Sequence, residues 1–370
     1  MKHRLILVLA ITISQLAAGQ KLTKQEKAII ASVDKNMATC VALLEKTVNI
    51  NSGTLNTKGV EEVGRILQKE FDAIGMTTSW ITMPDSMKRG GHLFAEQKGK
   101  RGKRLLLIGH LDTVFEPYSP FQKYVLQDTI AYGPGTNDMK SGNLVILFAL
   151  RALYEARLLK DIQVIVALHG DEENAGDPKE VSRRDIIAAA KRSDVALAFE
   201  TGTGFGSATV ARRGSSSWTI AVRGKQAHSS GIFTPGVGAG AVYEAARILN
   251  RFYQELQEPY LTFNAGLIAG GTSASIDSSG TEGTVSGKTN IVPNATFIKG
   301  DLRFLSEQQK EAARTKMRAI VAASLPQTSS TITFEDGIPS MPPTEGNMKL
   351  LGIYSQVSLD LGLGEVKPYD

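Results

Sequence analysis

The feature that most constrains the fold is a regular alternation of apolar, strand-like runs with amphipathic helical patterns between residues 23 and 200. The strand-like runs are Thr77–Thr82, Gly91–Glu96, Arg104–Gly109, Gln163–His169 and Val195–Glu200, and the helical patterns are Thr23–Val48, Gly59–Ile74, Asn143–Ala156 and Val181–Lys191. A helix that follows a strand can carry the chain back to the starting edge of the sheet, which lets the next strand pair in parallel. The pattern therefore predicts an α/β domain with a mainly parallel central sheet.

The pattern changes near Gly202. An alternating strand region is followed by a helical stretch over Val237–Leu256, by the segment "NIVPNATFIKGDLRFL", which is typical of paired strands, and by a helix over Ser306–Leu325. Strands and helices in this order are typical of an α+β domain. We expect such a domain at residues 207–336, inserted into a first domain that comprises residues 20–206 and 337–370.

The first 19 residues have the layout of a secretory signal peptide. Lys2, His3 and Arg4 give a positive start, residues 5–18 are apolar, and Ala17, Ala18 and Gly19 supply small residues for cleavage. No later run reaches the ~18 apolar residues of a transmembrane helix. We therefore expect a secreted or periplasmic protein that is not held in a membrane after cleavage.

Charge and cysteine content exclude two further classes. The net charge is +5, and the basic residues are dispersed apart from "KGKRGKR" at residues 98–104, so nucleic acid is not an expected partner. Cys40 is the single cysteine, so the chain forms no internal disulfide. The hydrophobic core has to stabilise the fold without cross-links.

Metal-capable side chains follow four apolar, strand-like segments. They are His110 and Asp112 in "LIGHLDTV", Asp138 in "AYGPGTNDMKSG", Glu172 and Glu173 in "VIVALHGDEENAG", and Glu200 in "VALAFETG". Each motif alone is more often an ordinary turn or a solvated loop. Together they are expected at the same edge of one sheet, because ligands of open α/β sheets bind at the carboxyl ends of the strands.

Clustered carboxylates repel one another unless a positive charge neutralises them. An imidazole with several carboxylates suits zinc, and a carboxylate can bridge two ions about 3.5–4 Å apart. The residues therefore predict a zinc site, and Asp138, in a stiff Gly-rich turn before a helix, could serve two ions. Histidine 169 is not expected to bind metal.

The motifs "NINSGTLNTKGV", "GHLDTV", "GPGTNDMKSG", "GDEENAG" and "FETG", in this order, resemble those of a family of di-zinc metallopeptidases. The family includes glutamate carboxypeptidase, aminoacylase, acetylornithine deacetylase and succinyl-diaminopimelate desuccinylase. The resemblance runs from about Cys40 to the end of the chain and is strongest to the glutamate carboxypeptidase branch. It implies a catalytic domain with two zinc ions and an inserted α+β dimerisation, or lid, domain.

The resemblance also implies a role for each candidate residue of the first domain. His110 and Glu200 would bind one zinc ion, Asp138 would bridge, and Glu173 would bind the second ion. Asp112 would hydrogen-bond His110 and set its tautomer. Glu172 would be the general base that takes a proton from the attacking water and gives it to the leaving amine. Adjacency alone does not decide which of the two glutamates has which role.

Three further residues are implied in the inserted domain. His228 in "VRGKQAHSSG" would polarise the scissile carbonyl, often across the interface of a homodimer. In "TNIVPNATFIKGDLRF", Asn290 would contact the carbonyl and Arg303 would clamp a substrate carboxylate, for which its planar guanidinium is suited. The 13-residue separation of Asn290 and Arg303 predicts two adjacent strands. Arg303 could also form an ordinary surface ion pair.

One expected ligand departs from the family pattern. The family has a further zinc-binding histidine close to its C-terminus, whereas the five histidines here are His3, His92, His110, His169 and His228. We expect either a fragment of a full enzyme, which we favour, or a protein with a weakened second metal site.

The leading functional hypothesis is a zinc-dependent carboxypeptidase that cleaves the amide bond to a C-terminal amino acid, with glutamate expected, in peptides or N-acyl conjugates. The alternatives are an N-acyl amino acid deacylase or an aminopeptidase with the same site. A catalytically inactive fragment and a non-catalytic binding or dimerisation protein also stay open.

Overall fold

The computed structural model describes residues 22–277 and 280–369 of the 370-residue chain. The expected signal peptide at residues 1–19 lies outside the described residues. The chain divides into two compact units on either side of the Gly202–Thr203 bond. Residues 337–370, which we assign from the sequence to the first domain, fall in the second compact unit, and the inserted-domain boundaries stay a prediction.

The first unit contains five helices and seven strands within its described residues. They are α1 Lys24–Val48, α2 Thr57–Ala73, β1 Thr77–Ile81, β2 His92–Lys98, β3 Arg101–His110, β4 Val125–Gln127, β5 Ile130–Tyr132, α3 Ser141–Glu155, β6 Ile162–His169, α4 Lys179–Ser182, α5 Arg184–Lys191 and β7 Val195–Ala198. The helix expected over Val181–Lys191 is interrupted at Arg183, so that α4 and α5 are separate.

The central sheet of the first unit has the strand order β1-β2-β6-β3-β7. β2 is antiparallel to both of its neighbours, and the pairs β6–β3 and β3–β7 are parallel, so four of the five strands point in the same direction. The prediction of an α/β domain with a mainly parallel sheet is confirmed. The carboxyl ends of β6, β3 and β7 therefore lie side by side.

Alternate residues of the central strands pack into two different layers. On β6, Val164 and Val166 belong to the core shared with α1, α2 and α3, whereas Ile165 and Ala167 pack with Ala189 of α5. Successive side chains of a strand point to opposite faces, so a strand that is covered on both faces is apolar throughout. This is why β6 appears in the sequence as a continuous apolar run.

Helix α2 packs on the sheet through a single apolar stripe. Val60, Val63, Leu67 and Phe71 recur every three or four residues and are all buried. This spacing places them on one face of a helix. Helix α1 begins at Lys24 because Thr23 accepts a hydrogen bond from the Glu26 N–H while the Glu26 side chain accepts one from the Thr23 N–H.

The second unit contains three helices and eight strands within its described residues. They are β8 Ser207–Thr209, β9 Gly214–Gly224, α6 Gly240–Glu255, β10 Thr262–Gly271, β11 Ser273–Ile276, β12 Gly283–Ser286, β13 Ala295–Phe304, α7 Glu307–Ala322, β14 Thr328–Asp336, α8 Glu345–Asp360 and β15 Lys367–Tyr369. Its main sheet is antiparallel with the order β10-β13-β9-β14, and α6 and α7 pack on one face around Trp218.

The prediction that "NIVPNATFIKGDLRFL" forms paired strands is wrong. Residues 295–304 form the single strand β13, which pairs with β9 on one side and β10 on the other. Asn290 lies in a turn before this strand. Pro293 has no N–H group to donate to a neighbouring strand, so the ladder begins only after it.

Within residues 22–277 and 280–369, no helix combines the length and the apolar character that a membrane span requires.

Replacement of Leu106 by alanine tests the two-layer packing. Leu106 is 0% exposed at the centre of β3, so Leu106→Ala should lower the free energy of unfolding by about 2–5 kcal/mol. Urea denaturation followed by circular dichroism measures this change. Leu126 is 58% exposed on β4, and Leu126→Ala should change the free energy by no more than about 0.5 kcal/mol. Equal shifts of the two variants would contradict the assigned packing.

Candidate metal centre

Three neighbouring strands deliver functional side chains to one edge of the central sheet. His110 is the last residue of β3, Glu172 and Glu173 follow β6, and Glu200 follows β7. Because β6, β3 and β7 are adjacent and parallel, their carboxyl ends meet at the same edge. The side chains that are separated by up to 90 residues in the sequence therefore come together in the first unit.

Asp138 reaches this edge by a different route from the one we expected. It does not follow a strand of the central sheet, because β4 and β5 form a separate hairpin of two exposed three-residue strands. Asp138 lies in the irregular turn Thr136–Lys140 immediately before α3. Two short exposed strands cannot bury an apolar face, so the hairpin stays outside the central sheet. The prediction that Asp138 lies in a Gly-rich turn immediately before a helix is, in contrast, confirmed.

His110, Asp138 and Glu200 form a tight group. The His110 Nε2 atom lies 2.9 Å from Asp138 Oδ1 and 3.8 Å from Glu200 Oε1. One ligand atom from each of the three residues lies within 4.8 Å of those of the other two. His110 is buried, whereas the two carboxylates are partly exposed. The group is therefore built on a fixed imidazole and has an open side.

The hydrogen bonds of His110 fix the role of each ring nitrogen. Its Nδ1 atom lies 3.0 Å from the backbone oxygen of Asp112 and 3.3 Å from Asp112 Oδ1, and both are acceptors. The ring proton of a neutral His110 therefore lies on Nδ1, which leaves a lone pair on Nε2. Asn143 donates a hydrogen bond to the His110 backbone oxygen at 2.6 Å and holds the end of β3 in place.

This tautomer requires a positive charge beside Nε2. A lone pair that faces two carboxylate oxygens is repelled unless a proton or a cation lies between them. Burial alone lowers the pKa of His110, but the hydrogen bonds and negative charges of Asp112 and Glu200 outweigh it and raise the pKa to about 11. The site thus favours a cation strongly.

Asp112 connects the histidine to the segment that carries the two glutamates. Its buried carboxylate accepts hydrogen bonds from the N–H groups of Glu172 and Glu173, both at 3.1 Å. Thr54 Oγ1 donates a third at 2.6 Å. A buried carboxylate is stable only when its oxygens are paired in this way. Asp112 thereby holds His110 and the backbone of both glutamates in one arrangement.

The two glutamates have raised pKa values. Burial, followed by the negative charge of Asp138, raises the pKa of Glu173 to about 7. Glu172 is partly exposed, but the burial of the rest of its side chain still raises its pKa. The negative charges of Glu200 and Asp112 raise it further. Five carboxylates beside one imidazole leave excess negative charge at this edge.

The donor set fits a divalent metal ion. One imidazole nitrogen with a free lone pair and carboxylate oxygens from Asp138 and Glu200 are the ligand types that zinc binds, and the fixed tautomer presents the nitrogen in the form that a metal requires. A cation would also offset the neighbouring negative charges, which add to the effect of burial in raising the pKa values of the glutamates. The ligand roles drawn from the family resemblance stay predictions.

Among the described residues, a second group of three also brings possible ligand atoms together: His92, His169 and Asp171, all buried. Here the charge of Asp171 is already neutralised, because Arg183 Nη1 donates to its Oδ1 atom at 2.6 Å. Both ring nitrogens of His92 also have protein partners, the Gly170 N–H and the Ser182 oxygen. Hydrogen bonds therefore account for Asp171 and His92 without a metal ion, whereas His169 Nε2 is buried without a hydrogen-bond partner in the described part of the chain.

The second unit contains the three candidates that the family resemblance placed outside the first domain. His228 and Asn290 lie close together, since residues 228 and 291 form a β-bridge and the Ser229 N–H donates to the Asn290 oxygen at 2.9 Å. The Ser230 N–H donates to His228 Nδ1 at 3.3 Å, so a neutral ring carries its proton on Nε2. His228 can therefore act as a donor through Nε2.

Arg303 does not lie beside Asn290. It is near the other end of β13, and the eight residue steps from Ala295 to Arg303 span about 26 Å in an extended strand. The expectation that the 13-residue separation reflects two adjacent strands is wrong, because Asn290 lies in a turn and Arg303 on β13. The Arg303 Nε atom donates to Asp301 Oδ2 at 3.1 Å on the surface.

Three residues that support the site were not identified from the sequence. Thr54 and Asn143 hold Asp112 and His110, and the buried Lys140 donates to the backbone oxygens of Thr47 and Ile50, both at 3.0 Å. Burial lowers the pKa of Lys140 to about 7. Polar residues at the start of the apolar helix α3 were the available signal, but their partners are 33 to 93 residues away.

Removal of the Asp112 carboxylate tests its connecting role. Asp112→Ala should weaken zinc binding about 10- to 100-fold, because residues that orient a metal ligand typically contribute this much. Isothermal titration of the purified protein with zinc chloride measures the affinity. Asp161→Ala, at a residue outside the metal centre, is the control and should bind zinc like the parent chain. Unchanged binding by Asp112→Ala would exclude the role.

Comparisons with known proteins agree with this geometry. Residues 210–329 match the peptidase dimerisation domain of the M20 family. Carboxypeptidase G2 of Pseudomonas sp. (strain RS-16) is 26% identical to this chain over 98% of its length and 84% of the relative's. A succinyl-diaminopimelate desuccinylase of Cupriavidus pinatubonensis is 25% identical, and the match covers 77% of this chain and 74% of the relative's length.

Among solved structures, the aminopeptidase PepT of Bacillus cereus has a TM-score of 0.67 at 18% identity, and the match covers 90% of this chain and 83% of that one. At this identity the likeness shows the fold, and it extends over both compact units. The motif order, the matched dimerisation domain and the full-length relatives agree. Residues 210–329 therefore belong to the M20 peptidase dimerisation domain, and the chain as a whole is similar to M20 metallopeptidases and related amidohydrolases.

Proposed function

We propose that this protein is a zinc-dependent metallocarboxypeptidase that releases a C-terminal amino acid, glutamate above all, from peptides or N-acyl conjugates. The observation that carries the proposal is the convergence of His110, Asp138 and Glu200 within 4.8 Å at the open edge of the sheet. Glu172 and Glu173 lie beside them with raised pKa values. The name of the relative carboxypeptidase G2 supports the choice of reaction.

Each residue of the first unit has one task in this proposal. His110 and Glu200 would hold one ion, Glu173 would hold the second, and Asp138 would contribute to both. When bound, zinc acidifies water and polarises a carbonyl oxygen. Glu172 accepts the proton of the attacking water and later donates it to the leaving amine. A raised pKa suits this exchange because the group must both accept and release a proton near neutral pH.

The substrate contacts come from the second unit. His228 donates from Nε2 to the scissile carbonyl, Asn290 contacts the same carbonyl, and Arg303 pairs with the terminal carboxylate. His228 and Asn290 are neighbours before the start of β13, whereas Arg303 lies about 26 Å along the strand from its first residue, Ala295. One chain cannot bring all three to the same amide bond. This separation supports a homodimer, for which the matched peptidase dimerisation domain also argues.

A deacylase reaction is the second candidate. Relatives named succinyl-diaminopimelate desuccinylase and acetylornithine deacetylase favour it, since both names describe removal of an acyl group. An arginine that pairs with a carboxylate serves either reaction, because N-acyl amino acids also have a free carboxylate. The sequence of residues 1–19 supports action outside the cytoplasm, in the periplasm or as a secreted protein, for either activity.

Paired glutamine variants test the roles of the two glutamates. Glu172→Gln should lower kcat for an N-acyl or peptidyl glutamate substrate by about 10²–10⁴-fold, because the proton acceptor is lost. Its zinc content should not change. Glu173→Gln should instead lose bound zinc. Metal analysis after dialysis and release of glutamate, measured on the same samples, check both outcomes. Zinc loss in Glu172→Gln with zinc retained in Glu173→Gln would reverse the two roles.

Variants of Arg303 test the substrate class. Arg303→Ala should raise KM for glutamate conjugates about 10- to 100-fold, because a charged hydrogen bond to the carboxylate is lost. Arg303→Lys should recover little, since an ammonium group cannot pair through two parallel hydrogen bonds. Steady-state kinetics compare each conjugate with its α-amide, which lacks the carboxylate. Equal KM values for both variants and the parent chain would exclude the clamp.

A further inference from the structure

We propose that His92 is a positioning residue that joins the two ends of the segment Gly170–Ser182 through hydrogen bonds. It thereby holds Glu172 and Glu173 at the candidate metal centre. The proposal rests on the proposed function for the roles of the two glutamates. His92 lies on β2, outside the sequence motifs that predicted the site, and it touches neither the proposed ligands nor the expected substrate.

His92 bridges the two ends of this segment. Its Nδ1 atom accepts a hydrogen bond from the Gly170 N–H at 3.1 Å, and its Nε2 atom lies 3.1 Å from the Ser182 backbone oxygen. His92 and Ser182 are both 0% exposed. One imidazole thus joins the residue that follows β6 to the last residue of α4, and the glutamates lie between these two contacts.

Asp171 reinforces the closure from inside the segment. Its buried carboxylate accepts hydrogen bonds from the Gly176 N–H at 2.9 Å, from Ser182 Oγ at 2.6 Å and from Arg183 Nη1 at 2.6 Å. The Asp171 backbone oxygen accepts a further one from Arg183 at 2.9 Å. These contacts fold the segment back on its own beginning.

Two buried side chains, those of Asp112 and His92, therefore hold the backbone around the glutamates. Asp112 holds the N–H groups of Glu172 and Glu173 on the side of the metal centre. His92 accepts a hydrogen bond from the N–H group of Gly170, two residues before Glu172. Gly170 itself allows no side chain, since a Cβ atom would come within 2.1 Å of the Gly91 oxygen. The N–H groups of three residues, at positions 170, 172 and 173, thus have buried acceptors.

The bridge requires one neutral tautomer of His92. Nδ1 must keep its lone pair to accept the Gly170 N–H, and Nε2 must carry the proton that it donates to Ser182. Burial and the neighbouring His169 ring, which stacks at a centroid distance of 4.4 Å, lower the pKa of His92 to about 4. Both nitrogens are occupied in this state, so His92 has no lone pair left for a metal ion.

Three variants of His92 separate its two hydrogen bonds from its volume. His92→Leu removes both hydrogen bonds, His92→Gln retains a donor close to the position of Nε2, and His92→Asn retains an acceptor close to that of Nδ1. Phe71→Leu, a buried change on α2 that makes none of these contacts, is the control for general destabilisation. All four are compared at temperatures equally far below their melting temperatures.

The readouts do not depend on hydrolysis. Amide hydrogen exchange at Glu172 and Glu173 should accelerate about tenfold in His92→Leu, the order expected for loss of a net hydrogen bond, and less in the Gln and Asn variants. Zinc affinity from calorimetric titration should fall about 10- to 100-fold in His92→Leu. Phe71→Leu should change neither quantity. Nitrogen-15 spectra of the parent chain should show His92 as the Nε2–H tautomer.

Each outcome decides between a positioning and a merely structural role. Exchange and zinc affinity in His92→Leu that match those of Phe71→Leu would overturn the proposal, as would an Nδ1–H tautomer. Faster exchange with unchanged zinc affinity would also overturn it, because the hydrogen bonds of His92 would then have no effect on the position of the zinc ligands. If the parent chain released no glutamate from any conjugate, the proposed function would fail, while exchange at Glu172 and Glu173 would still decide the role of His92.

Discussion

The arrangement of the metal centre depends on the buried carboxylate of Asp112. Its side-chain and backbone oxygens accept hydrogen bonds from the His110 ring, from Thr54 and from the N–H groups of Glu172 and Glu173. A carboxylate without solvent needs this many donors, because an unpaired buried charge is strongly unfavourable. The need to satisfy Asp112 therefore ties together β3, the residues after β6 and the loop before α2.

A second buried carboxylate, Asp171, has the opposite consequence. Arg183 supplies a full positive charge to it, and Ser182 and Gly176 complete its hydrogen bonds. Burial raises the pKa of Asp171, but these contacts outweigh it and hold the pKa well below its usual range. Asp171 directly precedes Glu172, and Asp112 binds the N–H groups of both glutamates, yet only the cluster beside Asp112 has excess negative charge. That imbalance favours a bound cation at the first group and not at the second.

Much of the first unit followed from local patterns. The apolar runs predicted β3 and β6 because a strand covered by helices on both faces has no polar alternation. The ends of those runs placed His110, Glu172 and Glu173 correctly at the edge of the sheet, since parallel strands share one direction. The route of Asp138 was misjudged, because the short strands of the exposed hairpin β4–β5 and a strand of the central sheet differ in burial rather than in residue type.

The sequence by itself determined the fold class, the family resemblance and the residue types of the candidate metal centre, because these depend on periodicity and on short motifs. Only the tertiary structure decided that Asn290 and Arg303 lie at different ends of the β13 region, and that His92 joins Gly170 to Ser182. Hydrogen bonds such as these join residues 78 and 90 positions apart. No local pattern contains that information, since the partner of a buried polar group is set by the packing of the whole unit.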